Sequence, residues 1–307
     1  MVVNYSYYIV DVFTKSAFNG AQLAIFPEAE GLDDAQMQLI AGELNLTESV
    51  FMTGAGTGET CSLKIYSPTA ERDFSGHAII GAGYVLAKYS HLDFDGEYLK
   101  ARLAQNTGET DLVISRDDES EFFVQFSRSA EAVSDRFVPA NAQLAEMLSL
   151  DEKEIGSARY NTMLVSCEQT YLMIPLNSFE AVRSAVFNVK NWSTAVAPVS
   201  PTNEIFLFST RSDLTQSNFH ARIVGPQIGV KEDPPIGSSM PAFAGYLSTH
   251  DHIKQGVYSY VIDRGTIETR KSVLSVELVT QQGKENEVRV GGPAVVVAQG
   301  SIAAPRK

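Results

Sequence analysis

The chain has 307 residues, 44% of them hydrophobic, and a formal net charge of −13. That length suggests two domains with a sizeable core, and the acidic balance argues against binding nucleic-acid phosphates or an anionic membrane surface. Two cysteines exclude a disulfide framework, and no basic segment followed by an apolar run opens the chain, so a cytoplasmic protein with reduced, buried thiols is expected.

Tyr5 to Phe13 is rich in aromatic and β-branched residues and predicts a strand. Thr14 to Gly20 predicts a turn, and Ala21 to Phe26 a second strand. Asp33 is placed to cap a helix running to Asn45, with Met37, Ile40, Ala41 and Leu44 on one face. Asn45 suits the left-handed exit position. Thr47 to Met52 then predicts a strand, with Glu48 at the helix-to-strand corner. Two readings of Glu48 stand side by side. One is a solvated carboxylate at a strand start. The other is an acid held partly out of water, where burial disfavours the charged form and tunes the group for acid/base work.

Gly54 to Gly58 lacks the GK[ST] of a phosphate loop and reads as a hairpin turn. Cys61, Leu63 and Ile65 alternate into the core of the next strand, and Ser67-Pro68 ends it. Phe74-Ser75-Gly76-His77 leads into an apolar, glycine-rich run through Leu86 that is too short to span a bilayer. It predicts a buried helix whose first turn is Gly76-His77-Ala78. The free N–H groups and dipole of such a terminus suit a carboxylate or phosphate. Further strands follow at Leu99 to Thr107, Asp111 to Ser115 and Glu121 to Phe126, the last two separated by an acidic turn, Asp117 to Ser120.

The composition turns polar between Ser127 and Val138, which sets expected domains at 1–127 and 128–307, with the last strand, about 294–307, able to pack back onto the first domain. Asn141 is placed to cap a helix with Leu144, Met147 and Leu148 inward. Ala158 to Ser166 and Gln169 to Pro175 predict strands, with Cys167 in an apolar strand. Ser178 is placed to cap a helix with Phe179, Val182 and Val186 inward. Strands are expected at Glu204 to Ser209, His220 to Val224, Tyr258 to Asp263, Ser272 to Val279 and Val288 to Ala298.

Val230 to Leu247 repeats the earlier design. With Gly76 aligned on Gly237, His77 matches Ser238, Ala78 matches Ser239 and Leu86 matches Leu247. A duplication that places two buried helices with their N-termini at one cleft is the economical reading. A helix apolar all round must be wrapped by a sheet.

No HExxH, cysteine cluster or GxSxG occurs. His250-Asp251-His252 offers either a metal pair or an exposed loop, and His91 reads as a surface group. His77 and Asp233 are each open to a plain capping role or a chemical one.

Val10-Asp11-Val12-Phe13-Thr14 is followed by Gly20-Ala21-Gln22-Leu23-Ala24-Ile25-Phe26, Glu43 to Phe51, Phe74 to His77, and Glu232-Asp233-Pro234-Pro235-Ile236-Gly237-Ser238-Ser239. In this order and spacing they resemble the PhzF family, the phenazine-biosynthesis isomerases related to diaminopimelate epimerase. The resemblance covers nearly the whole chain. It implies an α+β fold of two pseudo-repeated domains, each a rolled, mostly antiparallel sheet around a central apolar helix. It also implies an active site between the domains, proton transfer without cofactor or metal, a small-molecule carboxylate substrate and a homodimer. Carried residue by residue, it makes Glu48 the acid/base and His77, Asp233 and Ser238 its polar partners. The amides of Gly76, Gly237 and Ser239 would cradle an anion, and Ala78, Thr47 and Gly20 complete the expected substrate-binding set. Arg270, in Thr269-Arg270-Lys271-Ser272, matches a weaker family segment with no role attached.

The chain departs from the family at Ala21 (usually Asn), Ala78 (usually Pro) and Ile236 (usually Thr). The related epimerases carry Cys where this chain has Ser75 and Ile236, so thiol racemisation is not expected. Losing the Asn and Thr side chains leaves open a changed reaction, such as a cyclisation or another acid/base rearrangement in secondary metabolism, or a metabolite-binding protein without turnover.

Overall fold

The computed structural model describes residues 3–54, 60–89, 97–116, 121–200, 202–229, 233–266, 268 and 270–306. It resolves into two compact units. One is Met1–Ser127 with Arg270–Val273 and Val290–Lys307; the other is Arg128–Thr269 with Leu274–Arg289.

In the first unit, β1 (Asn4–Val12) and β2 (Ala21–Phe26) form an antiparallel pair with Tyr8 opposite Ile25 and Val12 opposite Ala21. Helix α1 (Asp34–Leu44) starts on a capping box. The Asp33 carboxylate accepts from the Gln36 amide, and the Gln36 side chain accepts from the Asp33 amide. A cap of this kind is worth about 1 kcal/mol. Asn45, at φ 48°, takes the left-handed exit. Met37, Ile40 and Ala41 bury against Ala24, Phe26 and Phe51. The chain then enters β3 (Ser49–Thr53), parallel to β2, and β4 (Thr60–Tyr66), antiparallel to β3 with Thr53 opposite Ser62. The turn expected at Gly54 to Gly58 lies, apart from Gly54, outside the described residues. After the short β5 (Glu71–Arg72) comes α2 (Gly76–Tyr89), buried at every position from Gly76 to Leu86. It crosses over to β6 (Tyr98–Gln105), parallel to β4. The meander of β7 (Gly108–Arg116) and β8 (Phe122–Ser129) follows. The acidic turn expected at Asp117 to Ser120 lies outside the described residues, as does His91. The glycines of α2 let the sheet close on it: a Cβ at Gly83 would lie 2.7 Å from Val124, and one at Gly81 3.0 Å from Ile25.

The second unit begins with β9 (Val133–Asp135) and α3 (Asn141–Leu148). β10 (Met163–Ser166) and β11 (Thr170–Pro175) pair antiparallel. Helices α4 (Phe179–Ser184) and α5 (Val189–Asn191) precede β12 (Ile205–Ser209), which runs parallel to β11. β13 (Phe219–Val224) is antiparallel to β12 and leads through a 3-10 turn, Gly237–Ser239, into α6 (Met240–Ser248). The chain returns in β14 (Gly256–Arg264), parallel to β13, and β15 (Ser272–Thr280). The strand order is β15-β14-β13-β12-β11-β10-β9. Phe243 of α6 sits among Phe206, Phe208 and Phe219 at ring separations of 5.0 to 5.2 Å.

The long β16 (Glu287–Ala303) pairs antiparallel with β1, from Asn4 opposite Ala303 to Val12 opposite Ala294. It also neighbours β8, so the first unit is a closed ring, β1-β2-β3-β4-β6-β7-β8-β16, around α2.

The two units share one succession: an antiparallel pair, a helical crossover to a parallel strand, an antiparallel strand, and an apolar helix crossing to a second parallel strand. β1-β2-α1-β3-β4-α2-β6 corresponds to β10-β11-α4-β12-β13-α6-β14. The register corresponds too. Ala24 lies opposite Ser49 and donates to the carbonyl of Glu48, while Leu172 lies opposite Ile205 and donates to the carbonyl of Glu204.

Several local expectations are corrected. The strand expected over Ala158 to Ser166 begins only at Met163, because the Ser157 hydroxyl accepts the Tyr160 amide and holds a turn. Cys167 lies in the bend after β10 and is half-buried; both cysteines are free. Ala140, rather than Asn141, is the cap residue of α3, with the Gln143 side chain accepting its amide. Ser178 does cap α4, but that helix ends at Ser184, so Val186 falls outside it and is exposed.

Candidate active site

The start of α2 is shaped by the turn before it. The Ser67 amide and hydroxyl both donate to the carbonyl of Ala70, which turns the chain after β4. Phe74 then anchors against Phe126 and brings Ser75 to the helix start. The carbonyl of Ser75 accepts the Ile79 amide at 3.1 Å, and its hydroxyl oxygen accepts the Ala78 amide at 3.4 Å. Ser75 is therefore the cap, and the amide of Ala78, a residue expected in the substrate-binding set, donates to it. His77 has only 3% of its surface exposed. Its Nδ1 lies 3.0 Å from the Ser75 hydroxyl, and its Nε2 lies 3.2 Å from Oε2 of Glu48.

Glu48 arrives from a different direction. Asn45 turns the chain out of α1, and the parallel pairing of β2 with β3 fixes the Glu48 backbone. Its side chain projects to α2 with 8% of the residue exposed, so the carboxyl is buried rather than solvated. Its Oε2 stands within ion-pair reach of His77 but outside any aligned hydrogen bond. The next residue back, Thr47, is exposed.

Gly20 lies in the β1–β2 loop at φ 69°. A Cβ there would come 2.3 Å from the carbonyl oxygen of Val12, so only glycine fits. Its amide donates to Lys271 and its carbonyl accepts from Arg270. Arg270 also donates to the carbonyl of Asn19 and to the buried carboxylate of Asp11, which in turn accepts the Phe18 amide. Arg270 thus has a role: it clamps the loop that carries Gly20. Burial pushes the Asp11 pKa above its usual value, and Arg270 opposes this only in part. Neither Ser75 nor Asp11 stands out in the sequence as a site residue, because serine before glycine and aspartate in a strand are both common in plain structural settings.

The second unit presents its own set. Arg183 donates to Oδ2 of Asp233 at 2.6 Å, and Arg264 donates to the Asp233 carbonyl and lies 3.9 Å from Oδ1. Asp233 is thus held by two guanidinium groups. Arg222, behind them, donates to the carbonyls of Ala185 and Arg183, and burial draws its pKa down. Gly237 is buried and Ser238 half-buried. Of the three amides expected to cradle an anion, that of Ser239 is already donated to the carbonyl of Ile236, as is its hydroxyl, at 2.7 Å.

Asp251 and His252 lie exposed in a turn, as the loop reading expects, but His250 departs from it. It is buried, its Nδ1 donates to the Tyr246 carbonyl, and its ring packs on Tyr160 at 5.0 Å. Burial lowers its pKa. Among the described residues no three metal-ligating side chains converge, and no helix is long and apolar enough to cross a membrane.

Three similarities place the chain. An uncharacterized isomerase of Mesorhizobium japonicum is 30% identical, over 97% of this chain and 98% of its own length. The trans-2,3-dihydro-3-hydroxyanthranilate isomerase of Pseudomonas fluorescens is 24% identical over 97% and 99%. The crystal structure of a PhzF-family phenazine biosynthesis protein of Bacillus anthracis superposes with a TM-score of 0.83 at 16% identity, covering 98% of this chain and 99% of that one. The fold is that of the PhzF isomerases. Residues 10–300 match the model for phenazine biosynthesis-like proteins, and the chain belongs to that family, PhzC-PhzF.

Proposed function

We infer that this isomerase moves a proton between two carbons of a small, unsaturated or cyclic carboxylate, with Glu48 as its acid/base. The observation that carries the reading is the Glu48 carboxyl, buried, 3.2 Å from the His77 ring, with Oε2 outside any aligned hydrogen bond. An oxygen so placed is available to a substrate proton. Glu48 would take the proton from one carbon and return it to another on the same face, so the step balances on the protein's own groups. The charge left on the substrate is the costly part. Dipoles already oriented toward it, such as the N-terminal turn of α2, lower that cost. His77 holds the Glu48 carboxyl in place and stabilises its charged form when Glu48 gives the proton up. By family resemblance Asp233 and Ser238 orient the substrate's polar groups, and the amides of Gly76 and Gly237 hold its anionic group.

The compound named in the Pseudomonas fluorescens relative is the first candidate substrate. Incubation in deuterated water should incorporate label with wild type. Glu48→Gln should reduce the rate by about 10²–10⁴-fold, the usual range for an acid/base group. Label incorporated by Glu48→Gln at the wild-type rate would overturn the assignment. A second reading, binding without turnover, is favoured by Ala21 and Ile236, both buried and apolar where the family has Asn and Thr. Unchanged substrate after saturable binding, with affinity kept in Glu48→Gln, would support it. The same proposal includes a homodimer in the cytoplasm, and light scattering should read twice the chain mass.

A further inference from the structure

We propose that Ser75 is a positioning residue that fixes the tautomer of His77, placing the ring proton on Nε2, toward Glu48. The inference deepens the acid/base reading and draws on one hydroxyl. Ser75 is completely buried, so its O–H needs an acceptor inside the protein. The hydroxyl has two neighbours. The Ala78 amide, at 3.4 Å, is a donor and occupies a lone pair. The other is Nδ1 of His77, at 3.0 Å. The hydroxyl proton therefore goes to Nδ1, which must be the bare nitrogen of the neutral ring. The opposite arrangement, Nδ1–H donating to the serine, would leave a buried hydroxyl proton without an acceptor.

The consequence lies on the other side of the ring. Nε2 carries the proton and faces Oε2 of Glu48 at 3.2 Å. A neutral histidine can then stand as a donor beside the carboxylate without needing a second proton. The same serine that caps α2 sets the polarity of this pair, so helix start and proton chemistry are one construction. The related epimerases carry a thiol at this place in the motif. Here the hydroxyl serves the histidine instead.

Nitrogen-15 spectra of histidine-labelled protein test this without any substrate, so the outcome stands apart from the identity of the reaction. His77 is assigned by the signal missing in His77→Gln, and pH is raised until its ring is neutral. The expected wild-type spectrum shows Nδ1 at the low-field position of an unprotonated ring nitrogen and Nε2 at the protonated position. In Ser75→Ala, Nδ1 should move toward the protonated position as both tautomers become populated, and Ser75→Thr, which keeps the hydroxyl, should restore the wild-type pattern. A protonated Nδ1 in wild type overturns the proposal, as does a Ser75→Ala spectrum identical to wild type. If Ser75→Ala fails to fold for want of its cap, the wild-type spectrum and Ser75→Thr decide the question alone.

Discussion

The two apolar helices begin alike and are equipped differently. At the start of α2 a serine hydroxyl, a histidine ring and a buried glutamate form a line in which every member can hold or pass a proton. At the start of α6 the corresponding turn, Gly237–Ser239, carries no titratable side chain. The acid ahead of it, Asp233, is locked between Arg183 and Arg264. The duplicated scaffold has thus kept one succession of strands and helices while changing the groups at the helix start. One copy sets a hydroxyl, an imidazole and a carboxyl in line, and the other holds a carboxylate between guanidiniums. Strand register makes the difference concrete, since Glu204 stands where Glu48 stands and is only half-buried.

The sharpest way to break this comparison is to neutralise the two register partners in turn. Glu48→Gln should cost about 10²–10⁴-fold in turnover of a processed substrate, while Glu204→Gln should stay within a few-fold, as steady-state rates will show. Equal losses would mean the copies share the chemistry. Next, Asp233→Asn should remove the countercharge from two guanidiniums. Breaking a buried pair costs about 3–5 kcal/mol, so a fall of that size in urea stability is expected, where a purely substrate-facing carboxylate would leave stability unchanged.

A smaller contrast concerns packing around the helices. A Cβ on Gly245 of α6 would sit 2.5 Å from the Ala132 Cβ and 2.7 Å from the Ala130 carbonyl oxygen, whereas one on Gly83 of α2 meets the side chain of Val124. Overpacking costs about 1–3 kcal/mol. Gly245→Ala should lie at the top of that range and Gly83→Ala at the bottom, since a valine side chain yields more readily than backbone; thermal unfolding will rank them.

The smallest effect separates two buried aspartates. Burial pulls the Asp263 pKa up, but hydrogen bonds from His220 and Ser212 outweigh it and hold the carboxyl below its usual range. A lowered native pKa contributes stability above the unfolded value, near 3.9, that is lost as pH falls through the native one. Asp11 has the opposite sign. Its pKa is raised, so its contribution is fully present below the unfolded value and is lost as pH rises through the native one. Urea midpoints across the acid range should show Asp263→Asn closing on wild type as pH drops and Asp11→Asn closing on wild type as pH rises.

Much of this was legible in the residues. Asp33 and Asn45 bracket α1 because capping chemistry is local, and Ala21 to Phe26 is a strand from end to end. The apolar run after Gly76 announced a wrapped helix, and the Phe74-Ser75-Gly76-His77 motif led to the family. Other features depend on groups distant in sequence. Nothing near Asp11 says that Arg270 will reach it. Nothing near His250 says that Tyr160 will cover it. The shortfall at Ala158 arose because apolar alternation cannot reveal a serine hydroxyl holding a turn. The amide of Ser239 shows the same limit, since a helix start open to an anion and one turned in on its own carbonyl read identically as a string of letters.

The ring around α2 closes through β16, whose residues Ala294 to Ala303 pair with Val12 to Asn4. On the ribosome, the strands that open the chain must therefore wait for a partner translated nearly a whole protein later. The half that is synthesised first completes its hydrogen bonding last, with the edges of β1 and β8 bare until then. Anything that slows translation between those two points, or truncates the message after the second unit, leaves the first unit with an open seam and a ready surface for aggregation.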